Sequence, residues 1–146
     1  MTSRDFKDCF PALLDRSTYD LVQEILAARH DHMKFLDFCH HDAVFTFTGG
    51  IRDYPFSGVY CGRDNILDLL RRIDVEVEMS DHKILNLIVD GDRVGLRRSL
   101  RIRHRGTSAS RTLVVGNFLT IRGWRIAALS EYVDTTWLKQ LSGGAD

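Results

Sequence analysis

Net charge is missing from this sequence: 20 lysines and arginines against 20 aspartates and glutamates leave its 146 residues formally neutral. No overall field draws such a chain to nucleic acid or to an anionic membrane, so neither is expected as a partner and only local charge can matter. Long apolar runs are missing too. No stretch approaches the roughly 18 residues of a membrane helix, and Met1-Thr2-Ser3-Arg4-Asp5 meets Pro11 before any apolar run develops, which predicts a cytoplasmic protein. Cysteine is scarce: Cys9, Cys39 and Cys61 lack the close pairing of a zinc knuckle or redox dithiol and read as reduced, mostly buried thiols. The Gly-x-x-x-x-Gly-Lys-Ser/Thr phosphate loop, the Gly-x-Gly-x-x-Gly turn and the Gly-x-Ser-x-Gly elbow are all absent, which sets aside nucleotide chemistry and serine hydrolysis and predicts no cofactor.

What is present is the composition of a globular protein, 44% hydrophobic and 27% charged, over a length that suits one domain across 1–146. From Ser17 to about His41 the apolar residues Tyr19, Val22, Leu26, Met33 and Leu36 recur at helical spacing, with a break into two helices at Arg29-His30-Asp31-His32. Phe6 to Leu14 suggests a short preceding helix. At Ala43 the period becomes two, with Phe45 and Phe47 alternating against Val44, Thr46 and Thr48, and Gly49-Gly50 ends that strand. A third helix follows Gly62-Arg63-Asp64 through Ile66, Leu69, Leu70 and Ile73. Strands are predicted at about His82 to Val89, Arg93 to Arg103, Arg111 to Ile121 and Trp124 to Val133, jointed by Asp90-Gly91-Asp92, Gly106-Thr107-Ser108 and Arg122-Gly123. Helices, a strand, a helix and then an antiparallel meander make the class α+β, and a curved sheet wrapped over helices encloses a pocket.

Polar residues on apolar faces are the candidates for such a pocket. Arg98 shares its face with Val94, Leu96, Leu100 and Ile102, where a guanidinium needs a carboxylate or acceptors. It is either an anchor for an anionic group or a structural ion pair between sheet and helix. Asn117 interrupts Leu113, Val115, Leu119 and Ile121, and either orients a carbonyl or water or bonds a neighbouring strand. In the last strand Ile126, Ala128, Ser130, Tyr132 and Asp134 share a face by the same period. Asp134 is then a general acid or base if desolvated, an ion-pair partner of Arg98, or the cap of a closing helix at Thr135 to Leu141. The arginines opposite Arg98 read as a solvated face. His30 and His32 flanking Asp31, with Cys39-His40-His41-Asp42, are rich in ligand types but lack metal-site spacing, so no metal is expected.

Four segments, Cys39-His40-His41-Asp42-Ala43-Val44-Phe45, Gly58-Val59-Tyr60-Cys61-Gly62-Arg63-Asp64-Asn65-Ile66, Gly91-Asp92-Arg93-Val94 and Glu131-Tyr132-Val133-Asp134, resemble in order and spacing the nuclear transport factor two-like superfamily. The SnoaL-like and ketosteroid isomerase-like branch is the most similar, and the resemblance spans about 17–138. It implies a cone-shaped α+β fold, a strongly curved, mostly antiparallel sheet around a deep apolar pocket, and a homodimer packed through the sheets. The position of the ketosteroid isomerase base falls near Phe47, that of its oxyanion tyrosine near Gln23, and that of its protonated aspartate near Asn117. Phe47 takes no proton, which disfavours classical steroid isomerisation. The epoxide hydrolases of the fold are similar at Arg98 and Asp134, while their second aspartate is replaced by Leu100 or Ser99. The expectation is a cofactor-independent acid/base enzyme on an apolar oxygenated small molecule, of the isomerase, cyclase, dehydratase or epoxide hydrolase type. Asp134 would move the proton, Arg98 and Asn117 would steady charge and orientation, and Gln23, Phe47, Tyr54, Tyr60 and Tyr132 would line the substrate site. A non-catalytic dimeric binding module of the same fold is the alternative.

Overall fold

A computed structural model of the chain describes residues 17–143 other than 51 and 53. The helix expected at Phe6 to Leu14, and Cys9, lie outside the described residues. Helix α1 (Thr18–Ala27) starts where the Ser17 hydroxyl accepts the Asp20 N–H at 3.1 Å, and it buries Leu21, Val22 and Ile25. A 3₁₀ turn (Ala28–His30) and extended Asp31 break the helix where the sequence predicted. Asp31 then caps α2 (His32–Asp37) by accepting the Lys34 N–H.

The helical pattern does not continue to His41. Strand β1 (Cys39–Phe47) begins instead at Cys39, which pairs with Ile126 and whose carbonyl oxygen accepts the Arg63 guanidinium at 2.6 and 3.1 Å. Tertiary pairing overrides local spacing here. Strand β2 (Gly58–Cys61) is an edge strand against β1, too short and too exposed to carry an alternating signature. Helix α3 (Arg63–Glu76) buries the predicted Ile66, Leu69, Leu70 and Ile73.

The meander follows as β3 (Val77–Asp90), β4 (Arg93–His104), β5 (Ser110–Arg122) and β6 (Arg125–Tyr132), closed by α4 (Trp137–Leu141). Strand β3 starts at Val77 and not at His82, because a bulge between Ser80 and Lys83, with Asp81 at φ 54°, breaks its alternation. The Arg122-Gly123 joint is a tight turn with Gly123 and Trp124 both at positive φ, the twist that fits a two-residue hairpin. The six strands form one curved, unclosed sheet in the order β2-β1-β6-β5-β4-β3, antiparallel except for β1 against β6.

Phe45, Leu100, Ile102 and Leu113 on the inner face pack with Leu21, Leu69 and Trp137 from the helices. On the outer face the arginines are paired or solvated: Arg103 reaches Glu78 at 2.6 Å, Arg97 the Asn86 side chain at 2.7 Å and Arg101 the Ser110 hydroxyl at 2.8 Å. Burial pushes the Cys39 thiol up to about 12, so it stays protonated, whereas Cys61 is exposed and departs from the expectation of burial.

Candidate active site

Strand periodicity sends Arg98 of β4 and Asn117 of β5 inward, and the structure brings them together. Arg98 Nε donates to Asn117 Oδ1 at 2.8 Å, and Arg98 Nη2 donates to Glu131 Oε1 at 3.0 Å. Asn117 Nδ2 donates to the same Glu131 oxygen at 3.3 Å. Arg98 and Glu131 side chains are each only 13% exposed, and Asn117 is buried. Desolvation pulls the guanidinium below its ordinary value and the Glu131 carboxylate pushes back, so the cation is held by its partner. Arg98 is thus in an ion pair, but with a strand of the same sheet and not with a helix, and the pair lies on the wall of a cavity.

That cavity is small, about 90 Å³, and apart from the triad, Arg29 and Tyr54 its walls are apolar, with Phe45, Phe47, Leu70, Val115 and Trp137 among them. Tyr54, also buried, closes one side. Burial first, and then the Glu131 charge, push its phenol well above the ordinary tyrosine range, while a side-chain hydrogen bond from Trp137 occupies its oxygen. At neutral pH Tyr54 is a protonated donor. Among the described residues no donor reaches Glu131 Oε2, so a free carboxylate oxygen and a phenol O–H border one apolar space.

Glu131 is the residue that sequence reasoning missed, and Asp134 the one it misplaced. Ile121 pairs with Ile126 but Thr120 pairs with Ala128, so Ala127 is an extra residue in β6. This one-residue bulge inverts the alternation after Ile126. Leu129, Glu131 and Val133 turn inward, while Ser130, Tyr132 and Asp134 turn out. Asp134 is accordingly exposed. Its Oδ1 accepts the Thr136 hydroxyl at 2.7 Å and the Thr136 N–H at 3.0 Å, which hold the carboxyl below its usual range. It serves the entry to α4 and is not a pocket base.

Tyr132 packs its ring edge to face on Phe118, 6.0 Å away, on the outer sheet face, and so does not line the cavity. Gln23 is exposed and donates to the Tyr19 hydroxyl at 2.9 Å, beside a different hollow. Phe47 and Tyr54 do line the cavity as expected. Tyr60 stands one layer behind, edge-on to Phe47 and donating to the Phe56 carbonyl at 2.8 Å. The outward signal for Glu131 was its place in the Glu131-Tyr132-Val133-Asp134 segment, where counting back from Val133 instead of forward from Ile126 puts it inside.

The histidines scatter. His40 reaches the Arg122 carbonyl, His32 pairs with Asp74, and among the described residues no group of three or more His, Cys, Asp or Glu side chains is placed to hold a metal ion. No helix among those residues is long and apolar enough to cross a membrane.

Comparison with known proteins places the fold. A protein of unknown function with the nuclear transport factor two-like fold, from Burkholderia pseudomallei, superposes with a TM-score of 0.75 at 21% identity, covering 84% of this chain and 95% of its own. A hypothetical protein of ketosteroid isomerase-like fold from Catenulispora acidiphila, crystallised with trimethylamine, gives 0.74 at 18% identity, over 88% and 96%. An LEH-like epoxide hydrolase of M. tuberculosis gives 0.64 at 21% identity, over 85% and 88%. These likenesses carry the fold alone. No curated protein matches the chain. The SnoaL-like domain model matches residues 20–129, most of the chain, and with the cone fold around an enclosed polar triad it establishes that this chain belongs to the SnoaL-like family of the nuclear transport factor two-like superfamily.

Proposed function

We propose that the chain is a cofactor-independent acid/base enzyme acting on an apolar, oxygenated small molecule, with Glu131 as the group that moves the proton. The observation that carries this reading is a carboxylate only 13% exposed on the wall of a mostly apolar cavity, with one oxygen held by Arg98 and Asn117 and, among the described residues, no donor on the other. With a ketone bound, Glu131 Oε2 takes a proton from the carbon beside the carbonyl. The C–H bonding pair forms the enolate, and Tyr54 donates its O–H to the developing oxyanion. Where the ketone is β,γ-unsaturated, the carboxylic acid returns the proton to the γ carbon as the double bond moves into conjugation, which completes an isomerisation; where it carries a β oxygen, the acid protonates that oxygen as its C–O bond breaks, which completes an elimination. Arg98 balances the carboxylate between turnovers and Asn117 fixes its orientation.

A thermal-shift screen of apolar ketones, epoxides and keto acids on wild type and Glu131→Gln tests this directly, because a ligand of the folded state raises its apparent stability. The expected result is ligands shared by both proteins, turnover lost at least a hundredfold in Glu131→Gln and retained in Asp134→Asn. Ligands bound without any turnover in the wild type favour the binding-module alternative; turnover surviving in Glu131→Gln removes that residue's role.

The outer sheet face supports a second part of the proposal, a homodimer. Ile88, Val114, Phe118 and Tyr132 are 48% to 71% exposed on one face of the sheet, an apolar patch that suits a second copy of the same chain.

A further inference from the structure

The cavity is not isolated. Leu26, Arg29 and Met79, which line it, also line a larger hollow of about 540 Å³ between α1 and the start of β3. Size separates the two spaces. The inner one, about 90 Å³, is smaller than the roughly 150 Å³ of a dry cavity that takes benzene. The outer one lies within the roughly 300 to 1,000 Å³ of ligand sites. A ligand held at Arg98 and larger than a small ring must extend, and the shared residues lead it into the groove.

His82 lines that groove from the β3 bulge. Ser80 pairs with Arg101 and Lys83 with Ser99, so Asp81 and His82 together oppose Leu100, a wall of the inner cavity. Its Nδ1 is enclosed with no hydrogen-bond partner. An enclosed N–H without an acceptor is costlier than an unshared lone pair, so Nδ1 is bare and the ring proton sits on Nε2. The ring is neutral at pH 7: burial, then the positive charges of Arg98 and Arg29, bring it down to about 4. The groove's carboxylates are already engaged, Asp74 by Arg29 and His32, and Glu78 by Arg103 and Arg105. His82 Nε2–H has no hydrogen-bond partner among the described residues, and it is the donor in the groove that lies in the field of Arg98 and Arg29.

We infer that the groove is a carboxylate subsite, in which His82 Nε2–H receives the acid group at the far end of a ligand whose carbonyl end reaches Arg98, Tyr54 and Glu131. The substrate class is then a keto acid with an apolar middle. This inference rests on the cavity reading above and adds to it a second polar end.

The test uses methyl hexyl ketone and the keto acid that carries a carboxylate at the far end of the same chain, titrated calorimetrically into the full-length protein. The keto acid should bind the wild type about tenfold more tightly, as a charge-assisted hydrogen bond allows. In His82→Leu that preference should fall below about twofold while the plain ketone keeps its affinity, and His82→Gln, which retains a donor, should keep part of the preference. In the wild type, the His82 ring-nitrogen resonances should move with the keto acid and not with the ketone. Equal affinities for the two probes, a preference that survives in His82→Leu, or unmoved ring-nitrogen signals would refute the subsite and leave the cavity standing. Binding of the ketone without the keto acid would likewise refute the subsite alone, whereas failure of both probes to bind the wild type would overturn the cavity reading, and the subsite with it.

Discussion

A buried guanidinium persists only where its charge and its donors are answered, and Arg98 is answered by Glu131 and Asn117 together. Removing one member of such a pair strands the other in a low-dielectric wall. Arg98→Met should therefore lower unfolding free energy by about 3 kcal/mol, and the double variant Arg98→Met, Glu131→Leu should recover most of that loss in urea titrations. Recovery marks a triad kept for chemistry; no recovery marks one that also supports the fold. His82 makes a separate contribution with a definite sign. Its folded value of about 4 lies below the ordinary 6.5, so its stabilisation is fully present above pH 6.5 and is lost as pH falls toward 4. Discounted for partial exposure, the loss is on the order of 1–2 kcal/mol. Urea unfolding at pH 7 and pH 4.5 should show that much less acid sensitivity in His82→Leu than in wild type. At this scale the sequence revealed Arg98 and Asn117 because each interrupts a regular two-residue period. It concealed Glu131, since an acidic residue that period assigns to the outer face draws no notice.

Elements explain the concealment. An extra residue in a strand has no composition of its own, and Ala127 beside Ala128 is as unremarkable inside a bulge as outside one. The bulge nevertheless decides which of Glu131 and Asp134 enters the cavity. Deleting Ala127 forces a choice: Ile126, fully buried, turns outward, or Leu129, Glu131 and Val133 do. Either outcome exposes apolar surface worth at least about 2 kcal/mol, readable as a lower midpoint in denaturant, with ligand affinity surviving only in the first case. The bulge of β3 acts in the same way on His82 and hid the first residues of that strand. Helices and hairpins, whose caps and turns are written in Ser17, Asp31, Gly91 and Gly123, were readable to within a few residues. The exception is the end of α2, where pairing of Cys39 with a strand far along the chain outweighs helical spacing.

At the scale of the whole molecule the sheet presents an apolar inner face covered by helices and an outer face on which an apolar patch lies uncovered beside the arginines. If a second copy covers the other, Phe118→Lys should convert a dimer to a monomer in sedimentation equilibrium without lowering the monomer's own stability by more than about 1 kcal/mol, because the side chain is 63% exposed in the single chain. A wild-type monomer at micromolar concentration would leave that face without a second copy. The parallel seam between β1 and β6 has a further consequence, in time. Chain growth runs from one end, and β1 emerges long before the strand that must lie beside it. Until β6 leaves the ribosome, β1 has only the short β2 as a strand partner, so this sheet cannot close before the whole meander has been made.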